Sequence, residues 1–456
     1  MKRQIKIFQF LLLICICLCT GILHAQGIAP KGTPLVKKYN IKVNSVQNAD
    51  KLYIQGFYGS TYFLVDSAVV KKGVAVFKKN KCELPGGVYL LCFFDPSHSY
   101  TNVICEFIIN NDPKFTITHT QHTDSASGYI INDIDITGSP ENDLLYAFRN
   151  RLMTVYTPNV REVCQEYLSI APESFAAKYI MAAYGSYQTP SNTPEEEDFK
   201  VQQMINDFDF SEPRLLHTPL PTSHMVEHWV LREDETDSII ASMDNILKRC
   251  ENETVLNFFL SKFFSMMDVH DPVYDPVLVH LYDNYSHDWI EDGREGAIKR
   301  KIETLHRVLA GARLPELISH DIDGKPHSTN DIKTKYTVVW FWDPDCDHCQ
   351  GMTPVLHQMY TEHAEDYNFE VFAVEVNDDY DRWKKFSDEH NLWDWINLST
   401  SKGEQNIDFI EYFDILTTPV LLLVDNSNYH TIIARQMSLT ELQKFLENEA
   451  GQMKIR

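Results

Sequence analysis

Val338-Val339-Trp340-Phe341-Trp342-Asp343-Pro344-Asp345-Cys346-Asp347-His348-Cys349 decides the fold of the C-terminal third. The run opens on five apolar, largely aromatic residues and reads as a buried strand. A short acidic turn follows, and then two cysteines three positions apart. Beyond them Met352, Val355, Leu356 and Met359 recur at helical spacing. The pattern predicts strand, turn and helix, with Cys346 at the helix N-terminus. Unpaired amide N–H groups and the helix dipole favour an anion there. Such a setting lowers a thiol's pKa and frees its thiolate for attack. Cys349, one turn on, is placed to resolve a mixed disulfide. A half zinc site is one competing reading, but zinc needs about four ligands. No second CxxC or nearby Cys/His pair completes the set. A purely structural disulfide is another, and the strand–CxxC–helix context argues against it. Redox chemistry fits that context.

The surroundings read as α/β. Residues 317–322 and 325–327 flank Asp323-Gly324, a hairpin signal. A second buried strand is expected over 369–376, helices near 380–390 and 407–413, and strands over 419–424 and 429–434. Ser438-Leu439-Thr440-Glu441 is a capping-box signature opening a last helix. Strand–helix–strand followed by hairpin–helix is the order of an α/β domain.

Upstream the texture differs twice. Residues 39–138 are short β-branched or aromatic runs punctuated by Gly, Asn, Asp and Pro, over 39–46, 51–58, 62–70, 74–78, 87–94, 103–109 and 114–119. Their regular spacing predicts an all-β, sandwich-like domain. From Ser139-Pro140-Glu141-Asn142 to about residue 310 the apolar spacing is helical, notably over 142–156, 172–184, 236–249, 253–267 and 275–285. Residues 191–198 and 210–221 read as polar or Pro-rich loops. The expected order is a signal peptide at 1–25, a β-rich domain at 35–140, a helical domain at 141–310 and an α/β domain at 311–456. His224 and His228 could share one helical face. A metalloprotease helix would need Glu after the first of them, and Met225 stands there.

Lys2, Arg3 and Lys6 precede a nearly all-apolar run over 7–22, and Leu23-His24-Ala25 offers a small residue before a cut. This reads as a secretory signal peptide, which places the mature chain outside the cytosol. A membrane anchor is the alternative, for which the run is slightly short. Cys15, Cys17 and Cys19 lie inside it, none after the small residue that a lipoprotein signal would want. Without the leader, Cys82, Cys92, Cys105, Cys164 and Cys250 stand beside the CxxC pair. Seven is odd, so one thiol at least is unpaired within a monomer. Cys92 and Cys105 lie in apolar runs, where buried free thiols are the default and a bridge between them is the alternative. The chain has 41 basic and 64 acidic residues, net −23; without the three leader cations the balance is 41 − 3 − 64 = −26. That excess speaks against nucleic-acid binding and against contact with anionic membrane surfaces.

Residues from about 312 to 449 resemble the thioredoxin superfamily, most of all its exported TlpA-like branch. The carrying residues are Phe341-Trp342, Cys346-Asp347-His348-Cys349, Pro354, and Thr417-Thr418-Pro419 before the strand at 420–424. The resemblance implies a central sheet with flanking helices and a cis proline beside the CxxC, which Pro419 matches, preceded by Thr418. Val65-Asp66-Ser67-Ala68 and Gly138-Ser139-Pro140-Glu141-Asn142 resemble a β-rich module of unknown function that precedes exported thioredoxin-like domains, and the middle region resembles a helical module of the same architectures.

The resemblance implies a periplasmic thiol–disulfide oxidoreductase acting on protein thiols and disulfides. Cys346 would attack, Cys349 would resolve, His348 would tune the nucleophile, and Pro419 would shape the groove that receives the partner. No organic cofactor or metal is expected, and an unidentified redox partner would recycle the pair. After leader removal the chain is not expected to be an integral membrane protein. Trp340 occupies the position of the buried Asp of thioredoxin, and Met352 that of a Glu in several TlpA-like reductases. Glu375, in an apolar run, is the candidate acid for the Cys349 proton; a strand-end carboxylate in water is its plainer reading. Two other functions compete: a binding or scaffold protein with a vestigial redox domain, against which both cysteines stand, and a thiol peroxidase, which wants Thr shortly before its reactive Cys where Asp343-Pro344-Asp345 is found.

Overall fold

The computed structural model describes residues 33–455, apart from 45, 47–48, 96–99, 112–113, 124–129, 155–159, 188, 221, 223–224, 228–235, 268–273 and 286–294. The leader, His224 and His228 lie outside the described residues. The chain forms two compact units, one ending at Ser265 and the other beginning at Met266.

Among its described residues the first unit begins with ten strands: β1 (Leu35–Val36), β2 (Tyr39–Asn44), β3 (Lys51–Tyr58), β4 (Thr61–Val69), β5 (Ala75–Lys79), β6 (Leu84–Pro85), β7 (Gly87–Asp95), β8 (Tyr100–Ile109), β9 (Lys114–Thr123) and β10 (Ile130–Thr137). Two four-stranded sheets, β10-β9-β2-β5 and β4-β3-β7-β8, hold all but the short β1–β6 pair. Ile41, Val43, Phe115 and Ile117 of one sheet share a core with Leu52, Ile54, Leu91 and Phe107 of the other. Alternation along each strand supplies that inner face, so the two sheets form a sandwich. The same alternation settles Cys92 and Cys105. Leu91 pairs with Cys105 and Cys92 with Val103. Cys105 therefore packs in the sandwich core and Cys92 on the opposite face with Phe57 and Leu90. The two thiols are free.

Among the described residues six helices follow: α1 (Pro140–Thr154), α2 (Val160–Ile170), α3 (Phe175–Tyr184), α4 (Pro194–Asp207), α5 (Thr236–Leu247) and α6 (Glu253–Met266). The Gly138–Asn142 motif is the joint between strands and helices. Gly138 takes φ +92°, which L side chains rarely adopt. Asn142 is fully buried. It accepts from the Ile108 amide at 2.8 Å and donates to the Ile108 carbonyl at 2.9 Å, as a neighbouring strand would. Its partner β8 is an edge strand, so one side chain pairs backbone groups that the ladder leaves open. Glu141 accepts from Ser174 Oγ and the Ala176 amide, both at 2.7 Å, at the start of α3.

Residues 191–198, read above as a loop, contain the start of α4. Thr193 is its N-cap and accepts from the Glu196 amide at 3.2 Å. Pro194 occupies the first turn and Glu195, Glu196 and Glu197 sit at the positive end of the dipole. The polarity that suggested a loop is a helix-start signature. Residues 210–221 include a short 3₁₀ turn, Pro213–His217.

The second unit opens with α7 (Asp275–Tyr285) and α8 (Glu295–Val308). Its strands are β11 (Ile318–His320), β12 (Pro326–Ser328), β13 (Tyr336–Trp342), β14 (Phe369–Glu375), β15 (Ile396–Ser399), β16 (Val420–Asp425) and β17 (Thr431–Arg435). Interleaved are α9 (Asp347–Tyr367), α10 (Tyr380–His390), α11 (Phe409–Phe413) and α12 (Leu439–Ile455). The strands make one seven-stranded sheet ordered β12-β11-β15-β14-β13-β16-β17. β13 runs parallel to β14 and antiparallel to β16. All seven residues of β13 are buried. Trp340, Trp342 and Val338 face a core shared with Leu356 and Met359 of α9, Trp383 of α10 and Leu442 and Leu446 of α12. Phe341, on the other face, meets Phe409 and Phe413 of α11. Both faces are covered, which is why β13 reads as an unbroken apolar run. Each such large side chain removed from water contributes roughly 1.5–3 kcal/mol. Ser438 and Glu441 form the reciprocal capping box at α12: the Glu441 amide donates to Ser438 Oγ at 3.2 Å and the Ser438 amide to the Glu441 carboxylate at 2.8 Å.

Candidate active site

The ends of three interior strands converge at one end of this sheet. Trp342 closes β13 and pairs with Glu375, the last residue of β14. Phe341 pairs with Val420, the first residue of β16. This register sets the Thr418–Pro419 segment beside the turn that leads from β13 into α9. The Thr418–Pro419 peptide is cis.

Cys346 is the N-cap of α9, with φ −81° and ψ 120°. Its sulfur accepts from the Cys349 amide at 3.4 Å. While protonated, it donates to the Thr418 carbonyl at 3.0 Å. Partial burial works to raise its pKa; hydrogen bonds from the Cys349 and His348 amides and the Thr418 and Cys349 side chains outweigh this and leave it below the ordinary thiol value. Cys349, one turn inside the helix, is fully buried. Burial dominates there and pushes its pKa up to about 12. Neighbouring thiols thus differ in both access and acidity, the contrast expected of an attacking and a resolving cysteine.

The acidic turn before Cys346 is locally ordered. Asp343 accepts the Asp345 amide on its side chain at 2.8 Å and the Cys346 amide on its carbonyl at 3.2 Å. Asp345 is ion-paired with Arg382 of α10, which also approaches Asp379 at 3.5 Å. The acidic turn is legible in the sequence but its partner is not: Arg382 lies 37 positions from Asp345, and no local pattern links them. His348 is exposed at the helix start.

Glu375 does not reach water. It is fully buried and shares the sheet face of Trp342 and Ala373, which pack with Cys349 in one core. One carboxylate oxygen accepts from the Asn377 amide at 2.6 Å and the Asp379 amide at 3.4 Å; the other accepts from Ser399 Oγ at 2.6 Å. Burial raises its pKa above the ordinary carboxylate value, against these hydrogen bonds, and Asp343 adds to the rise. The Trp340 indole, at the position where thioredoxin carries an Asp, donates to Thr353 Oγ at 3.1 Å in a dry core. Among the described residues, no group of three or more His, Cys, Asp and Glu could hold a metal ion. None of their helices is long and apolar enough to cross a membrane.

Residues 334–430 match the family profile described as thioredoxin-like. A stretch of 142 residues is 22% identical to the thiol-disulfide oxidoreductase ResA of Geobacillus thermodenitrificans, covering 31% of this chain and 78% of that protein. Residues 334–430 form a thioredoxin-like domain, in a stretch related to a thiol–disulfide oxidoreductase. The solved domain of a possible thiol-disulfide isomerase from Cytophaga hutchinsonii is 30% identical to this chain, over 33% of it and 98% of that domain, with a TM-score of 0.29. A thioredoxin-like protein from Bacteroides caccae is 14% identical over 65% of this chain and 95% of its own, with a TM-score of 0.37. Residues 39–145 of the chain match a domain of unknown function, DUF4369, which spans the sandwich and reaches into α1.

Proposed function

We propose that this chain is an exported oxidoreductase that exchanges disulfides in protein partners through Cys346 and Cys349. The observation that carries the reading is the contrast between the two thiols: Cys346 is accessible with a lowered pKa, and Cys349 is buried with a pKa raised to about 12. In the reducing direction the Cys346 thiolate attacks one sulfur of a partner disulfide, and the other partner sulfur leaves as a thiolate. Cys349 then gives up its proton and attacks the Cys346 sulfur. The partner's second thiolate departs, and two electrons have passed to the partner. The oxidising direction is the reverse. Thr418 and Pro419 shape the groove for the partner's cysteine segment, and His348 tunes Cys346. Export rests on the basic start and apolar run of residues 2–22, and the periplasm is the compartment that a signal of this kind serves.

Cys349 needs a base, because a thiol with a pKa near 12 is almost never ionised at neutral pH. Glu375 is assigned that role through its burial and its sheet face. Glu375→Gln keeps an acceptor for the Asn377 amide and removes the titrating group. Single-turnover resolution of a mixed disulfide should slow about a hundredfold, the low end of general-base contributions. The wild-type rate should fall as pH drops through the raised pKa of Glu375, where the carboxylate takes up a proton. The variant should be slow and flat over that range. Matching pH profiles would remove Glu375 from the mechanism.

A further inference from the structure

The segment that presents Thr418 and Pro419 to Cys346 is gripped at both ends. At its far end Gln436 donates to the Pro419 carbonyl at 3.2 Å and accepts from the Leu421 amide at 3.3 Å. At its near end stands a charge network with a buried inner pair and a partly exposed outer one. Asp414, which caps α11, is 2.5 Å from Lys301 Nζ of α8. Lys301 also lies 3.4 Å from Asp275, the first residue of α7. Asp275 is ion-paired with Arg435 of β17, whose guanidinium donates to the Phe413 carbonyl at 3.2 Å. The Asp275 and Arg435 side chains are only 1% and 5% exposed. Arg307 of α8 stacks its guanidinium over Tyr412 at 4.9 Å.

Lys301 and Asp275 lie upstream of the 334–430 match, in the helix pair that begins the second unit. Buried ion pairs add little net stability over apolar packing of the same volume, because desolvation offsets their attraction. Their geometry is nevertheless restrictive. Lys301 and Arg435, bridged by Asp275, hold the two residues, Asp414 and Phe413, from which the chain departs toward Pro419.

We infer that Lys301 is a positioning residue for the partner groove: with Asp275 and Arg435 it sets where residues 414–419 run, and so the fit of a protein disulfide against Thr418 and Cys346. This rests on the reading above that protein disulfides are the substrates. A small disulfide reaches Cys346 without lying along that segment, so it should be indifferent to Lys301.

The test uses the full mature chain with Lys301→Met and Lys301→Arg, and Asp414→Asn to break the same pair from the other side. Two substrates are compared, insulin disulfides and 5,5′-dithiobis(2-nitrobenzoic acid). Lys301→Met and Asp414→Asn should raise KM for insulin by about tenfold, with the rate on the small disulfide and the alkylation of Cys346 within about twofold of wild type. Lys301→Arg should restore KM. Hydrogen exchange should quicken at the Leu416 and Leu421 amides in Lys301→Met. Equal losses with both substrates, or unchanged KM in both variants, would overturn the inference. Should the wild-type chain leave insulin intact, the proposed substrate class fails instead, and exchange at Leu416 and Leu421 alone decides whether Lys301 holds the segment.

Discussion

Cys346→Ser is expected to abolish disulfide exchange, at least about a thousandfold below wild type, because no other group in the site supplies an accessible, acidified nucleophile. Cys349→Ser should behave differently. Its Cys346 can still attack, so it should accumulate covalent mixed disulfides with partners and stall before release. The asymmetry follows from position. Cys346 caps α9 and takes hydrogen bonds that favour its anion. Cys349 is sealed in the core with Trp340, Trp342 and Leu356. Non-reducing electrophoresis of extracts expressing each variant reads the outcome. Trapping by Cys346→Ser, or equal trapping by both, would reverse or erase the assigned roles.

The second large effect belongs to the other unit and to stability. Asn142→Ala should strip the Ile108 amide and carbonyl of their partners at a site where Asn142 is 0% and Ile108 1% exposed. A buried polar group left without a partner costs about 1–3 kcal/mol. Two such groups cost about 2–6 kcal/mol, a large share of the ~5–15 kcal/mol that holds a typical domain together. The loss should appear as an earlier urea transition of the strand-rich unit, with the Cys346 alkylation rate unchanged. A shift under about 0.5 kcal/mol, the scale of an ordinary surface substitution, would mean that the Asn142 side chain does not pair the β8 edge.

How legible this chain was depended on the range of the interaction. The order β-rich, helical, α/β could be read because period-two and period-3.6 patterns are local. The strand at 336–342 was plain because both of its faces are covered. β10 and β15 were not anticipated. β15 is four residues long, and β10, Ile-Ile-Asn-Asp-Ile-Asp-Ile-Thr, alternates only from Asp133 onward and is half polar, four residues in eight. α4 was masked by the acidity that stabilises its first turn. In the site, Cys346, Cys349, Thr418 and Pro419 were named from motif and resemblance, and the register of β13 with β16 brings them to one place. Their supports were not legible. Ser399 lies 24 positions from Glu375, Arg382 37 from Asp345 and Lys301 113 from Asp414. Contacts of that span arise from the folded sheet and leave no trace in local pattern. Glu375 shows the intermediate case. An acid in an apolar run announced itself, but whether it faced water depended on a strand, β15, that had not been seen.

Everything proposed for this site requires that Cys346 and Cys349 form one two-electron couple. The most direct measurement equilibrates the purified chain across a series of glutathione redox buffers, quenches it with acid, alkylates it and maps the thiols by mass spectrometry. The prediction is a single two-electron transition in which Cys346 and Cys349 lose their hydrogens together. Its midpoint should lie between the value of thioredoxin, about −270 mV, and that of the strong periplasmic oxidant, about −120 mV. Cys82, Cys92, Cys105, Cys164 and Cys250 should stay alkylatable on denaturation throughout. A chain in which Cys346 and Cys349 remain separate thiols across the whole series, or in which Cys346 forms only mixed disulfides with glutathione, would contradict it.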